Sequence, residues 1–425
     1  MEENDYLVAE VNDLIQCRKA EGLGFAVRME GNLLTVLTLN CWGIPWISKD
    51  LRVRMESIAE HIASGAYDFV FLQEVWSKSD YQMIARRVQL TLPYSHFFDS
   101  GILGTGLCLF SKVAIQRFLF QPFTVNGYIH HVHQGDWFGG KGVGLVSVVH
   151  SGLTVHLYIV HLLAKYDNEY DELLAHRLAQ ATQTARFIEF TRRGADVCFL
   201  AGDLNASPDE LSYETIVLET GMRDSFLLSS RFNTDLNAGK TNGTPNNSYT
   251  RLQDLKEFPY GQRIDYVFCW TKNDLTAELV DCINPLPDRV PHRDFSHSDH
   301  EAVCCTFKIK SNSTRQLQDS IDQSRVSTHR MKLMDIVDKA LINLQSDRRL
   351  YWLNFSAAST LLIASLFLHF YFLDWAFGDR VWLWNCFWFM LISFLVTVIG
   401  FSFAMASVWV RTERESLLSW KLAIN

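Results

Sequence analysis

The sequence predicts a layered α+β domain followed by a hydrophobic helical hairpin. Three observations predict it. Short apolar, β-rich runs alternate with a few amphipathic helical stretches up to residue 309. Polar residues recur where those runs end: Asn40, Glu74, His161, Asp203 with Asn205, and Asp299 with His300. Charge is depleted in one place, since residues 351–410 hold three formal charges and the other 365 residues hold 83.

The elements follow in order. Residues 33–40 alternate and are β-rich, which reads as a strand. Residues 49–64 carry Leu51, Met55, Ile58, Ala59 and Ile62 at helical spacing. Residues 69–74 are an apolar run closing on an acid. Residues 107–111, 143–149, 155–161, 197–205, 264–268 and 303–309 read as further short strands. Residues 173–191 form a helix with Leu174, Leu178, Ala181, Ala185 and Ile188 on one face. Residues 230–262 are rich in Asn, Thr and Gly and predict a long surface loop. Residues 310–330 are polar and read as a linker. Residues 331–347 return to helical spacing and predict a juxtamembrane amphipathic helix, lying on a membrane or packed on the preceding domain. Residues 1–32 are an N-terminal extension without an assigned role.

The hairpin follows from length. Residues 351–373 would span about 34 Å as a helix, enough for a ~30 Å hydrocarbon core. Residues 381–410 would span about 45 Å, so their ends reach the headgroups or the helix tilts. Trp352, Trp375, Trp382, Trp384 and Trp409 fall near the ends, as interfacial aromatics do. Arg348 and Arg349 precede the first span, and Arg411, Arg414 and Lys421 follow the second. The connecting loop holds two acids and one Arg. The positive-inside rule therefore expects cytosolic flanks, a lumenal loop, a cytosolic domain over 33–309 and a short cytosolic tail over 411–425. The first 30 residues begin acidic and lack the apolar core of a signal peptide. Nine scattered Cys, Cys304 and Cys305 adjacent, predict reduced thiols.

Composition removes several classes. Hydrophobic content of 48% excludes a disordered chain, and 425 residues with nine Cys exclude a disulfide-stapled miniature. The net charge of −8, from 39 bases and 47 acids, argues against bulk nucleic acid as the main partner.

Five motifs stand out: L-N-C-W-G at 39–43, L-Q-E-V-W at 72–76, G-D-W-F-G-G-K at 135–141, G-D-L-N at 202–205 and S-D-H-E at 298–301, with R-I-D-Y at 263–266. In this order and at these strand ends they resemble the endonuclease/exonuclease/phosphatase superfamily over residues 33–309. The stretches L-N-C-W-G-I-P and H-H-V-H-Q-G-D-W-F-G-G-K, with the hairpin, resemble its neutral sphingomyelinase branch. The resemblance implies a four-layer α/β/β/α sandwich (DNase I-like) and Mg²⁺-dependent cleavage of sphingomyelin to ceramide and phosphocholine, with Mn²⁺ a possible substitute. It implies a choline phospholipid in a bilayer as partner, no nucleic acid, and the endoplasmic reticulum or another intracellular membrane as location. A lysophosphatidylcholine or lyso-platelet-activating-factor phospholipase C is the alternative within the class, and a nuclease the one outside it.

Hydrolysis of a phosphodiester needs charge neutralisation at phosphorus, an activated water and help for the leaving alkoxide. Glu74 is the candidate metal ligand, with Asn40 beside it. His300 is the candidate general base, since an imidazole titrates near neutrality. The resemblance sets Asp265 or Asp299 against its ring and leaves open which. Asp203 and Asn205 alternate across Leu204, so an extended segment would show both on one face. By resemblance Asp203 orients water or moves a proton, Asn205 donates to phosphate, and His161 stabilises the pentavalent state or assists the leaving group. The segment 136–141 is not a Walker A loop, because Gly142 stands where Ser or Thr is needed. By resemblance Asp136 and Lys141 form a pair that closes the site, with Lys141 in catalysis. Trp137 and Phe138 insert into a lipid interface or pack. Trp42, Trp46, Trp76 and Tyr128 are candidates for a choline subsite through cation–π contact.

Overall fold

The computed structural model describes residues 33–131, 134–167, 170–229, 239–311, 323–373 and 381–424. The N-terminal extension and the loop between the apolar helices lie outside them. The chain divides into two units, Met1–Val326 and Ser327–Asn425.

The first unit contains twelve strands among the described residues: β1 (Leu33–Asn40), β2 (Phe69–Gln73), β3 (Tyr94–Phe97), β4 (Cys108–Ser111), β5 (Ile115–Pro122), β6 (Gly142–His150), β7 (Leu153–His161), β8 (Val197–Asp203), β9 (Arg223–Asp224), β10 (Asp265–Thr271), β11 (Leu275–Ile283) and β12 (Val303–Ser311). Its helices are α1 (Leu51–Ser64), α2 (Lys78–Val88), α3 (Leu174–Thr191), α4 (Leu211–Thr220) and the short α5 (Leu252–Glu257). The strands form two six-stranded sheets, ordered β11-β12-β1-β2-β4-β3 and β5-β6-β7-β8-β10-β9.

Three apolar clusters fill three interlayer spaces. Val36, Phe69, Phe71, Val155, Leu157, Val197, Phe199 and Phe307 meet between the sheets. Leu37, Leu39, Val70 and Leu72, on the opposite parity of β1 and β2, pack on Met55 and Ile58 of α1 and Ile84 of α2. Tyr158, Val160, Cys198 and Leu200 of the second sheet pack on Ala181, Ala185 and Ile188 of α3 and Ile216 of α4. The architecture is the DNase I-like sandwich of two sheets between helical layers.

The central strands follow the apolar runs in the sequence within about two residues. The four strands those runs do not reveal are β3, β5, β9 and β11, the four edges of the two sheets. An edge strand buries less surface: β5 shows an exposed row through Arg117, Phe118 and Leu119, and β11 alternates only in part. Of the surface loop expected over 230–262, residues 230–238 lie outside the described residues, and 239–262 runs mostly along the surface but is pinned at a few buried points. Thr241 is fully buried, and its Oγ1 accepts from the backbone N–H groups of Ile264 and Asp265 at 3.1 Å each. Asn247 Nδ2 donates to Ser298 O at 2.9 Å. Polar side chains here satisfy backbone groups, so hydrophobic periodicity carries no trace of the burial.

The second unit is helical: α6 (Gln323–Leu373), α7 (Val381–Ala404), a π-helical turn over Met405–Trp409 and α8 (Val410–Ile424). The most apolar 18-residue windows of its two long helical runs are 11% and 22% buried, so they are long and apolar enough to cross a membrane and are not core helices. Ring contacts run antiparallel, from Phe372–Trp384 and His369–Trp388 to Trp352–Phe403 and Tyr351–Trp409. The pairing continues past the apolar stretch, where Lys421 pairs with Asp338. Two readings from sequence are corrected here. The linker over 310–330 gives way to helix at Gln323, and that helix runs into the first apolar stretch without a break. The tail over 411–425 is helical to Ile424 and buries Val410, Glu413, Leu417, Trp420 and Ile424, a three-four spacing that continues the inward stripe of the apolar helices.

Gly202 ties this fold to the polar end of the sheets. Its φ is 148°, and a Cβ there would stand 2.0 Å from the Val160 carbonyl oxygen of the adjacent strand. Gly202→Ala is expected to lower stability by about 2–3 kcal/mol, read as a drop in the thermal midpoint of the detergent-solubilised chain.

Candidate active site

Strand parity builds the site. On β1 the inward residues run Leu34, Val36, Thr38, Asn40; on β7, Val155, Leu157, Ile159, His161; on β8, Val197, Phe199, Ala201, Asp203. Each series is apolar between the sheets and polar at the carboxyl end. β10 runs antiparallel to β8, so Asp265 at its start reaches the same end. Registration is direct: His161 is the partner of Asp203 across β7–β8, and Asp203 is the partner of Asp265 across β8–β10. Three titratable side chains thus stand in one row over three strands.

Two further groups reach the row by breaking the extended path. By alternation Glu74 would face the helices with Val70 and Leu72. Its φ of 57° turns the chain, and Glu74 Oε1 accepts from Asn40 Nδ2 at 3.1 Å. Asn205 has φ 47°, so the expected extended Asp203–Asn205 segment is not what the chain adopts. Asn205 Nδ2 instead turns back, donating to Leu162 O at 3.0 Å and Asp203 Oδ2 at 3.3 Å. Trp42 is also left-handed, at φ 46°. Each such non-glycine residue costs on the order of 1 kcal/mol or more, and Trp42, Glu74 and Asn205 all follow the carboxyl ends of strands β1, β2 and β8.

Asn40 is the bridge. Its Nδ2 donates to Glu74 Oε1 and to Asp203 Oδ2 at 3.0 Å, while its Oδ1 accepts from Trp42 N–H at 2.9 Å. His300 Nδ1 lies 2.8 Å from Asp265 Oδ2. The ionised carboxylate can only accept, so Nδ1 carries a proton and Nε2 is the nitrogen turned away from Asp265. Asp265, not Asp299, therefore orients the ring. Asp299 accepts from Ser298 Oγ at 3.3 Å, and Ser298 Oγ also donates to Asn40 O at 2.7 Å, which fastens S-D-H-E to β1. His161 Nε2 stands 3.6 Å from Asp203 Oδ2 and 3.9 Å from Glu74 Oε1, near both without a hydrogen bond to either.

The charges respond to burial and to one another. Burial raises Glu74 above the usual carboxylate range, and Asp299 adds to the shift. Asp203 is raised by burial and then by Asp265. Burial, with the nearby charges of Lys141 and His300, holds His161 well below 6.5, so it is neutral at pH 7. Burial works against the His300 cation, but Asp265, through charge and hydrogen bond, with Asp299 and Asp203, more than offsets it and raises His300 well above 6.5.

Glu74, Asp203, Asp265 and Asp299 crowd one buried region against His300 and Lys141. Glu74 Oε2 and Asp265 Oδ1 are buried without a hydrogen-bond partner among the described residues. Ligand atoms of Asp203, Asp265 and His300 all lie within 4.8 Å of one another. Buried carboxylate oxygens without donors are costly, and a divalent cation is the natural compensation. The donor set fits one.

Lys141 and Asp136 are both buried, with Nζ 3.2 Å from Oδ1. Lys141 Nζ also donates to Leu162 O at 3.2 Å, the same oxygen that holds Asn205. Of the four aromatics expected at one subsite, three have separate surroundings. Trp42 pairs with Tyr249 and lies under the Arg54 guanidinium; Tyr128 packs with His130, His131 and His176; Trp46 is fully exposed. Sequence reading also passed over Arg54. It is fully buried and donates to the carbonyls of Cys41, Trp42, Lys49 and His297, stapling L-N-C-W-G to the segment before S-D-H-E. Its signal was present, since an Arg interrupts the inward face of Leu51, Met55 and Ile58.

A two-sheet sandwich whose inward strand ends converge on an Asn–Glu pair, an Asp–His pair and a further Asp and His is the architecture of one class of phosphate-ester hydrolases. Residues 37–300 match the Endonuclease/Exonuclease/phosphatase family, and the chain belongs to it. It is similar to a putative neutral sphingomyelinase of Drosophila melanogaster, 45% identical over 276 residues, 65% of this chain and 61% of that one. It is 40% identical over 294 residues to sphingomyelin phosphodiesterase 2 of Mus musculus, 68% and 67% of the two chains. Inositol phosphosphingolipids phospholipase C of Saccharomyces cerevisiae is 28% identical over 374 residues, 78% and 77% of the two chains. The fly match spans less than two thirds of that relative's length.

Asp265→Asn removes the negative partner of His300. In chelator-treated protein the His300 imidazole is expected to titrate at lower pH in the variant than in the wild-type chain, followed by NMR of ¹³C-labelled histidine. An unchanged titration would mean that Asp265 does not set its charge.

Proposed function

We propose that this chain is a membrane-anchored, Mg²⁺-dependent phospholipase C-type phosphodiesterase that hydrolyses sphingomyelin to ceramide and phosphocholine. The observation that carries the reading is the buried row of His161, Asp203 and Asp265, flanked by Asn40–Glu74 on one side and His300 on the other. The relatives' names supply the substrate.

Glu74, with its unpartnered Oε2, and Asn40 would hold the ion. When bound, it supplies charge neutralisation at the phosphate and polarises a non-bridging oxygen. The remaining work falls to the chain. In its neutral form His300 takes the proton of the attacking water at Nε2. The neighbouring acids that favour its cation must be offset for that form to be present. Asp265 fixes the tautomer and stabilises the imidazolium that forms. Asp203, within reach of both His161 and Asn40, orients that water or accepts a proton. Neutral His161 offers an N–H toward the pentavalent phosphorus or the leaving oxygen. Asn205 and Lys141 exchange Leu162 O for phosphate oxygens. Asp299 adds negative charge beside Glu74 and strengthens the hold on the cation. The two apolar helices keep the enzyme where its substrate is, because a two-chain lipid does not leave a bilayer readily. We infer a cytosolic catalytic unit from the bases flanking the helices, and, from the family resemblance, the endoplasmic reticulum or another intracellular membrane as its location.

The test offers the purified full chain sphingomyelin, lysophosphatidylcholine and abasic DNA side by side with Mg²⁺. Sphingomyelin turnover is expected, abolished by EDTA and restored by Mg²⁺. Glu74→Gln and His300→Ala are each expected to lose about 10²–10⁴-fold in kcat. Cleavage of abasic DNA alone overturns the lipid reading, and full activity in both variants overturns the assignment of roles.

A further inference from the structure

Tyr166 lies outside every motif visible in the sequence, in the segment that leaves β7. Its hydroxyl donates to Asp136 Oδ2 at 2.5 Å. The other oxygen of that carboxylate holds Lys141 Nζ at 3.2 Å. Four residues before Tyr166, Leu162 O accepts from both Lys141 and Asn205. One short segment therefore holds the acid through a side chain and the two phosphate-facing donors through a carbonyl. Asp136 and Lys141 are 8% and 4% exposed, whereas Tyr166 is 52% exposed. The pair is sealed while the ring that fixes it stands on the rim. The charge of Lys141 acts on Glu74 and His161, so its ammonium sits beside the reaction centre, and Tyr166 itself feels the charge of Glu74.

A buried carboxylate with one ammonium partner has a second oxygen to satisfy. Left without a donor, that oxygen would draw the ammonium toward a symmetric bridge. That change moves Lys141. We propose that Tyr166 is a positioning residue for the reaction, its hydroxyl fixing Asp136 so that Lys141 stands ready at the phosphate. The inference rests on the phosphodiesterase reading above. It adds a residue on the rim through which an arriving headgroup can disturb the buried pair.

The test is a double-mutant cycle on the full chain in mixed micelles with Mg²⁺. Tyr166→Phe keeps the exposed ring and removes only the hydroxyl, so an unchanged thermal midpoint is expected. Its kcat on sphingomyelin should fall about 10-fold with KM shifted less than about 2-fold. In a Lys141→Met background the same change should cost less than about 2-fold, because the group it acts through is gone. Wild-type kcat in Tyr166→Phe overturns the proposal. So does an equal loss in both backgrounds, which is the mark of a structural role. If the wild-type chain cleaves another phosphodiester and not sphingomyelin, the substrate reading fails alone, and the cycle is run on the diester cleaved. A wild-type chain that cleaves none overturns both.

Discussion

The register of three strands governs the catalytic unit. Pairing β7, β8 and β10 so that His161, Asp203 and Asp265 share one row places two acids and an imidazole at the mouth of an otherwise apolar space. A slip of one residue in any strand would turn its polar residue into the helical layer and an apolar one into the site. The inter-sheet core prevents that slip, since the same parity that aligns Asp203 with His161 and Asp265 buries Val197, Phe199 and Ala201 between the sheets. Stability and function are therefore not separable along β8. The core residues fix the register, and the register sets the distances among the buried polar groups at the strand ends.

Crowding follows from that geometry. Four carboxylates in one buried region are unfavourable on their own, and each local response is visible. Asn40 divides its amide protons between two acids. Asp265 takes the protonated nitrogen of His300. Glu74, Asp203 and Asp299 shift toward the neutral form. Left-handed backbone at Trp42, Glu74 and Asn205 adds strain to the same place. The sheets, the Arg54 staple and the buried Thr241 segment supply the rigidity that holds such a cluster together. Binding of a divalent cation would relieve the negative charge that remains.

Much of this was legible in the sequence, for a physical reason. Central strands are buried on both faces, so their apolar runs are continuous, and the polar residues closing them mark the site. Asn40, Glu74, His161 and Asp203 could each be named from such an ending, whereas Asp265 opens its strand and was named only by resemblance. What escaped depends on less regular physics. The edge strands β3, β5, β9 and β11 bury too little to leave a pattern. Asn205 reaches its position through a left-handed turn that alternation does not foresee. Thr241, Arg54 and Tyr166 act by polar contacts with backbone or with another side chain, and a period-two or period-four reading is blind to those. The helix from Gln323 was hidden because its first turns are polar and look like a linker.

That helix has a mechanical consequence. In α6 the segment before the apolar stretch, residues 323–350, is about 42 Å of helix with no break where the hydrocarbon would begin. Were the apolar stretch to span a bilayer, the polar part would act as a lever. Hydrophobic mismatch changes the tilt of a span when bilayer thickness changes, and a 10° change would sweep the far end of such a lever through about 7 Å. A helix continuous from its polar turns into its apolar ones has no flexible joint to absorb that displacement.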